Sequence, residues 1–238
     1  MRFVLLALFL SANCAAQTTL GDILNKANHT LNQGNAAGLS DSKIVSGLKE
    51  ALQVSTSKAV ASTGRPDGFL KNAAIKILIP EKLRTVASGM RMFGMGAQVD
   101  QLEVGMNRAA EQATPKAKAI FLDALKRMTF DDARQILTNG GTSATDYFKR
   151  ESSADLTDAF TPIVHQSMEN VGVIQQYNKV MRSAPGGTAL AGNFDLDKYV
   201  VSKTLDGLFY ELGQEEKNIR QNPAARTSAI LRDVFGRR

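Results

Sequence analysis

Tryptophan is absent from this chain, and cysteine occurs once, at Cys14. Histidine occurs twice, at His29 and His165, and aromatic residues make up only 6%. A single cysteine excludes an internal disulfide framework and a thiolate metal cluster. Two histidines supply too few ligands for a zinc or iron centre on their own. The shortage of aromatics leaves a core of Ala, Leu, Ile, Val and Met, which suits packed helices better than a β-sandwich. After the N-terminus no run approaches ~18 apolar residues, so no transmembrane helix is predicted in the mature chain. There is no Gly-x-Ser-x-Gly elbow to present a serine and no Gly-x-x-x-x-Gly-Lys loop to cradle phosphate.

What is present starts with a leader-like order. Arg2 is followed by an apolar run from Phe3 to Leu10, then Cys14-Ala15-Ala16 before Gln17. Charge, apolar run and small residues in that order read as a secretory signal over residues 1–16. Residues 17–38, rich in Thr, Asn, Gln, Gly and Ala, read as a flexible tether, and 39–238 as one helical domain. The expected location is periplasmic. Cleavage after Ala16 removes the only thiol; the alternative is a lipoprotein anchored through Cys14, although Ser11-Ala12-Asn13 departs from the usual lipobox. The formal net charge of +6 in an exported protein points away from nucleic acid. It points toward anionic lipid or envelope polymer, beside the plainer reading of solvated surface charge.

Helical spacing dominates the rest. Ser40 can cap a helix in which Leu48, Leu52, Ser55 and Ala59 share one face. Gly64-Arg65-Pro66-Asp67-Gly68 then reverses the chain, with the flanking glycines expected to take left-handed angles. An apolar run, Ile75 to Ile79, stops at Pro80, which opens the next helix. From Ala97 to Met128 the pattern fits a helix kinked at Pro115 or a hairpin with Thr114 as a second cap. Thr129 with Asp132, Ser143 with Asp146 and Ser152 with Asp155 each resemble helix starts. Pro162 is expected to bend the following helix, and Val173 to Met181 reads as a further one. Pro185-Gly186-Gly187 marks a loop, Asp195 caps a long helix, and Asn222-Pro223 opens a last one. The prediction is an all-α bundle of about eight helices of unequal length.

Several separated motifs occur in a recognisable order. They include Gly47-Leu48-Lys49-Glu50-Ala51-Leu52, Gly64-Arg65-Pro66-Asp67-Gly68-Phe69-Leu70 and Met106-Asn107-Arg108-Ala109-Ala110-Glu111. Tyr147-Phe148, Phe160-Thr161-Pro162-Ile163-Val164, Leu205-Asp206-Gly207-Leu208-Phe209 and Pro223-Ala224-Ala225-Arg226-Thr227 follow. Together they resemble a bacterial family of unknown function numbered 4197. The resemblance implies an exported, mostly helical domain and brings no activity, cofactor or catalytic residue with it.

Chemistry-bearing residues are sparse. His165 has Glu169 one turn on, a pair that needs further ligands to hold a metal. Asn193, Asp195 and Asp197 mimic the start of a calcium loop, but Lys198 and Thr204 stand where Gly and Glu belong, so helix capping explains them better. Met90, Met92 and Met95 offer soft thioethers for Cu(I), with core packing as the plainer account. No metal or cofactor is assigned. Arg65, Asp67, Phe69, Asn107, Arg108 and Glu111 form the most informative set. They read either as a structural network that fixes the turn or as the polar mouth of an apolar groove with Phe69 at its lip. Residues 65–91 also carry six basic residues against two acidic ones, a charge suited to an anionic head group. The leading expectation is non-enzymatic binding of an envelope component such as an anionic lipid or amphiphile. The alternatives are an adaptor that binds another envelope protein, and a cell-wall enzyme using a carboxylate pair such as Asp155 and Asp158.

Overall fold

The computed structural model describes residues 41–170 and 194–221, with a few positions between them. The expected signal peptide, tether, Ser40 cap, 185–187 loop and last helix from Asn222-Pro223 lie outside the described residues, as does most of the helix expected over 173–181. Seven α-helices are described: α1 (Asp41–Gly64), α2 (Arg84–Met92), α3 (Gly96–Ala113), α4 (Ala117–Arg127), α5 (Phe130–Asn139), α6 (Ser143–Asn170) and α7 (Leu196–Gln221). No strand occurs among the described residues, and the domain is all-α.

Local signals account for most boundaries. Thr129 and Asp132 form a reciprocal capping box at the start of α5, satisfying donors that the first helical turn leaves free. The Asp195 carboxylate accepts from the Lys198 N–H at 2.9 Å and caps α7. Pro80 precedes a single 3₁₀ turn, Glu81–Leu83, which feeds α2. Two expected starts are not starts. Thr114 keeps right-handed angles, and its hydroxyl donates back to the Ala110 carbonyl. The backbone stays right-handed through Pro115, so α3 and α4 follow one interrupted helical path and are not the arms of a hairpin. Ser152 lies inside α6 and donates to the Phe148 carbonyl. A Ser-x-x-Asp spacing does not end a helix whose neighbours Phe148 and Leu156 are both in the core.

Packing runs through α7, which lies against both α1 and α6, while α3 packs on α6. The centre is aromatic where aromatics are few: Phe121 meets Phe148 edge-on at 5.0 Å and Phe209 at 6.1 Å. Around it Ala109, Ala110, Ala113, Ala117 and Ala124 are fully buried, small enough to let helices approach closely. Each buried Phe or Leu contributes roughly 1.5–3 kcal/mol. On α6, Leu156, Phe160 and Val164 form a buried stripe at helical spacing.

Candidate functional site

Between α1 and α2 lies an arm of 16 residues without a helix, 65–80. An irregular segment this close to a core must find partners for its backbone groups. The motif on α3 supplies them. Glu111, buried, accepts from the N–H groups of Phe69 and Leu70, both at 3.1 Å. Arg108, one turn back, donates to Glu111 at 2.6 Å and to Asp67 at 2.7 Å. Lys71 closes on the other oxygen of Asp67 at 2.7 Å. Bonds from Lys71 first and Arg108 second lower the Asp67 pKa, and Glu111 first and Asp67 second raise that of Arg108.

Asn107, also buried, treats the extended run as a neighbouring strand would. Its side-chain oxygen accepts from the Ile77 N–H at 2.9 Å, and its amide donates to the carbonyls of Ile77 and Glu103, both at 2.8 Å. Ile75, Ile77 and Ile79 are buried while Leu78 is half exposed, the alternation of a strand without a sheet.

The structure therefore brings Asp67, Asn107, Arg108 and Glu111 together around the arm. Two parts of the expectation change. Phe69 is fully buried and stands at no lip: its ring packs on Gly207 of α7, where an added Cβ would sit 2.5 Å from Phe69 Cε1. The left-handed residue of the turn is Asp67, at φ 66°, and neither flanking glycine is. Gly68 is required for space, since a Cβ there would lie 2.4 Å from the Ser62 carbonyl oxygen. Asp67 is held in that costly region by Arg108 and Lys71. Arg65 is exposed, with no ion pair among the described residues. Asp67, Asn107, Arg108 and Glu111 form a clamp that fixes the arm.

What the clamp fixes is one wall of a cleft of about 550 Å³ between residues 74–81 and α7. Its apolar side includes Leu78 and Tyr210, exposed at 50% and 46%. Its cations are Lys76, Arg84 and Lys203. Tyr199 crosses the base, donating to the Leu78 carbonyl at 3.0 Å; burial raises its pKa. Lys203 is held by Asp206 at 2.9 Å, a bond that raises the lysine's pKa. The basic excess of 65–91 is smaller in space than in sequence, because Lys76 pairs with Glu103 and Arg91 with Asp100.

The remaining candidates fall apart. His165 meets Asp197 at 2.5 Å and Glu169 at 3.4 Å at the surface, and among the described residues no group of three or more His, Cys, Asp or Glu is placed to hold a metal. Asp195 caps, as expected. Met90 is buried and Met92 exposed, so the methionines do not face one point. Asp155 and Asp158 are exposed on α6, with Asp155 4.0 Å from Arg127. Sequence reasoning missed Glu216. This buried carboxylate on α7 accepts from the N–H groups of Ala144 and Thr145 and from the Thr145 hydroxyl, and pairs with Arg220 at 2.8 Å. Its signal was there: it fills the gap between Leu212 and Ile219 on the apolar face of α7.

Among the described residues no helix is long and apolar enough to cross a membrane. Comparison with known proteins finds no matching curated protein and no matching solved structure. A family model does match, over residues 38–236, most of the chain and all of the clamp. The chain belongs to the family described as "Protein of unknown function (DUF4197)".

Proposed function

We propose that this protein works in the periplasm after export as a non-enzymatic binder, and that it holds an anionic amphiphile in the cleft between residues 74–81 and α7. One observation carries the reading: exposed Leu78 and Tyr210 share a 550 Å³ cleft with Lys76, Arg84 and Lys203. That volume falls within the ~300–1,000 Å³ typical of small-molecule sites. An apolar surface beside cations is what a chain with a charged head needs. The clamp gives the wall a fixed shape before any ligand arrives, which lowers the ordering cost of binding. Native mass spectrometry of protein purified from its export compartment, followed by organic extraction, is expected to release an anionic amphiphile, and Leu78→Asp to lose it. A protein that carries no lipid and gains no thermal stability from added anionic lipids overturns the reading.

A second reading, an adaptor for another envelope protein, is favoured by Met92 and Phe93 at the end of α2, exposed at 86% and 83%. Cross-linking in intact cells separates the two readings, since an adaptor traps one protein partner reproducibly and an amphiphile carrier does not.

A further inference from the structure

Resting on the amphiphile reading, we infer that Arg84 is the residue that recognises the ligand's head, and that the head is a phosphate-type oxyanion. The main cleft does not end at Arg84. A second hollow of about 290 Å³ continues along α2, and the two share Leu78, Ile79 and Arg84. Arg84 thus stands where the two hollows adjoin, beside the aliphatic side chains of Leu78 and Ile79 that line both.

The cations along these hollows are not equivalent. Lys76 is held by Glu103 at 2.7 Å, Lys203 by Asp206 at 2.9 Å and Arg91 by Asp100 at 2.6 Å. Among the described residues Arg84 has one ion pair, to Glu81, at 3.7 Å, beyond hydrogen-bonding distance, and its side chain is 62% exposed. Its planar fork of five donors is therefore uncommitted, and such a fork fits two oxygens of a phosphate at once. A lysine already bonded to a carboxylate has spent one of its three donors and keeps an acid beside the arriving anion. Leu78 and Ile79, beside Arg84, take the tail. The ligand class is an aliphatic chain ending in a phosphate, and neither half alone makes the full set of contacts.

The test compares dodecyl phosphate, dodecyl maltoside and inorganic phosphate, each below its aggregation threshold, by isothermal titration on the folded protein. Dodecyl phosphate is expected to bind about tenfold more tightly than either of the others, the worth of one charge-assisted bidentate contact. Arg84→Gln is expected to bring dodecyl phosphate binding down to the level of dodecyl maltoside, with circular dichroism confirming an intact fold. Equal binding of both dodecyl ligands, or dodecyl phosphate binding that Arg84→Gln does not weaken, overturns the role of Arg84 while the amphiphile reading stands. Binding of inorganic phosphate as tight as dodecyl phosphate overturns the amphiphilic ligand class. No binding of either dodecyl compound overturns both.

Discussion

Glu111 on α3 and Glu216 on α7 do the same job in two parts of the domain. Each buried carboxylate accepts from two successive backbone N–H groups of a distant segment. Each is neutralised by an arginine on its own helix, Arg108 three residues before or Arg220 four after. What they fasten differs. Glu216 meets the start of α6, where free N–H groups and the positive helix end favour a carboxylate. Glu111 meets an arm with no helix. The arginines differ too: the Arg220 side chain is 13% exposed and that of Arg108 is 34%. A carboxylate can fasten regular and irregular backbone alike, and the water its cation keeps sets how much depends on it.

The comparison is broken most sharply at Glu216. Glu216→Ala strands the Ala144 and Thr145 donors and removes the carboxylate that pairs with the largely buried Arg220, whose guanidinium keeps its bonds to the Ile136 carbonyl and the Ser143 hydroxyl. Removing one partner of a buried pair costs about 3–5 kcal/mol. The midpoint of thermal unfolding, followed by circular dichroism, is expected to fall by roughly 10 °C. A change within ~0.5 kcal/mol would show that α6 keeps its start without this carboxylate.

Glu111→Ala is the smaller cut. Arg108 keeps Asp67 and can reach water, so the loss is mainly the two stranded amides of Phe69 and Leu70, about 2–3 kcal/mol. The effect should be local as well as global. Hydrogen exchange at residues 67–79 is expected to rise well above that of α6, because the arm's backbone is held there by Glu111 and Asn107 of α3, by Tyr199 of α7 and by its own turn bonds, with no helical ladder beneath it. Uniform loss of protection across the domain would mean that the arm and the bundle open together, and the distinction between the two regions would fail.

The same pair shows what could be read from sequence. Glu111 was visible because it sits in a compact polar motif one turn from Arg108 and follows a turn that needed partners. Glu216 lies in Gln214-Glu215-Glu216-Lys217, a run that resembles a solvated face. Only the period of Leu212 and Ile219 marks it as inward, and period does not name the partner. The helices were legible for the reason α5 shows: Thr129 and Asp132 satisfy each other within four residues. Ser152 copies that spacing, yet packing of Phe148 and Leu156 carries α6 straight through. Phe69 was misplaced at a groove lip because its seat, Gly207, is 138 residues away. The cleft was not legible at all, since its walls come from residues 74–84 and 199–210, and the acids that neutralise Lys76 of the arm and Arg91 of α2, Glu103 and Asp100, lie outside the counted segment.

A third carboxylate–cation contact, His165 with Asp197, sharpens the comparison from the exposed end. It joins α6 to the first turn of α7 at the surface, with Glu169 as the other facing acid. The Asp197 hydrogen bond, followed by the charges of Asp197 and Glu169, raises the His165 pKa above its ordinary 6.5. A raised histidine pKa means that the folded state binds the proton more tightly than the unfolded chain. The contribution to stability is therefore complete below pH ~6.5 and fades as pH rises through the raised value. Asp197→Asn should lower stability on the acidic side of that window and leave it unchanged on the alkaline side. Added salt should shrink the difference, as it does for exposed pairs and does not for Glu216. Proton NMR of the imidazole is expected to show titration above 6.5 in the native protein and a return toward 6.5 in Asp197→Asn. Titration at 6.5 in both would mean that solvent has already taken the place of the carboxylate at this junction.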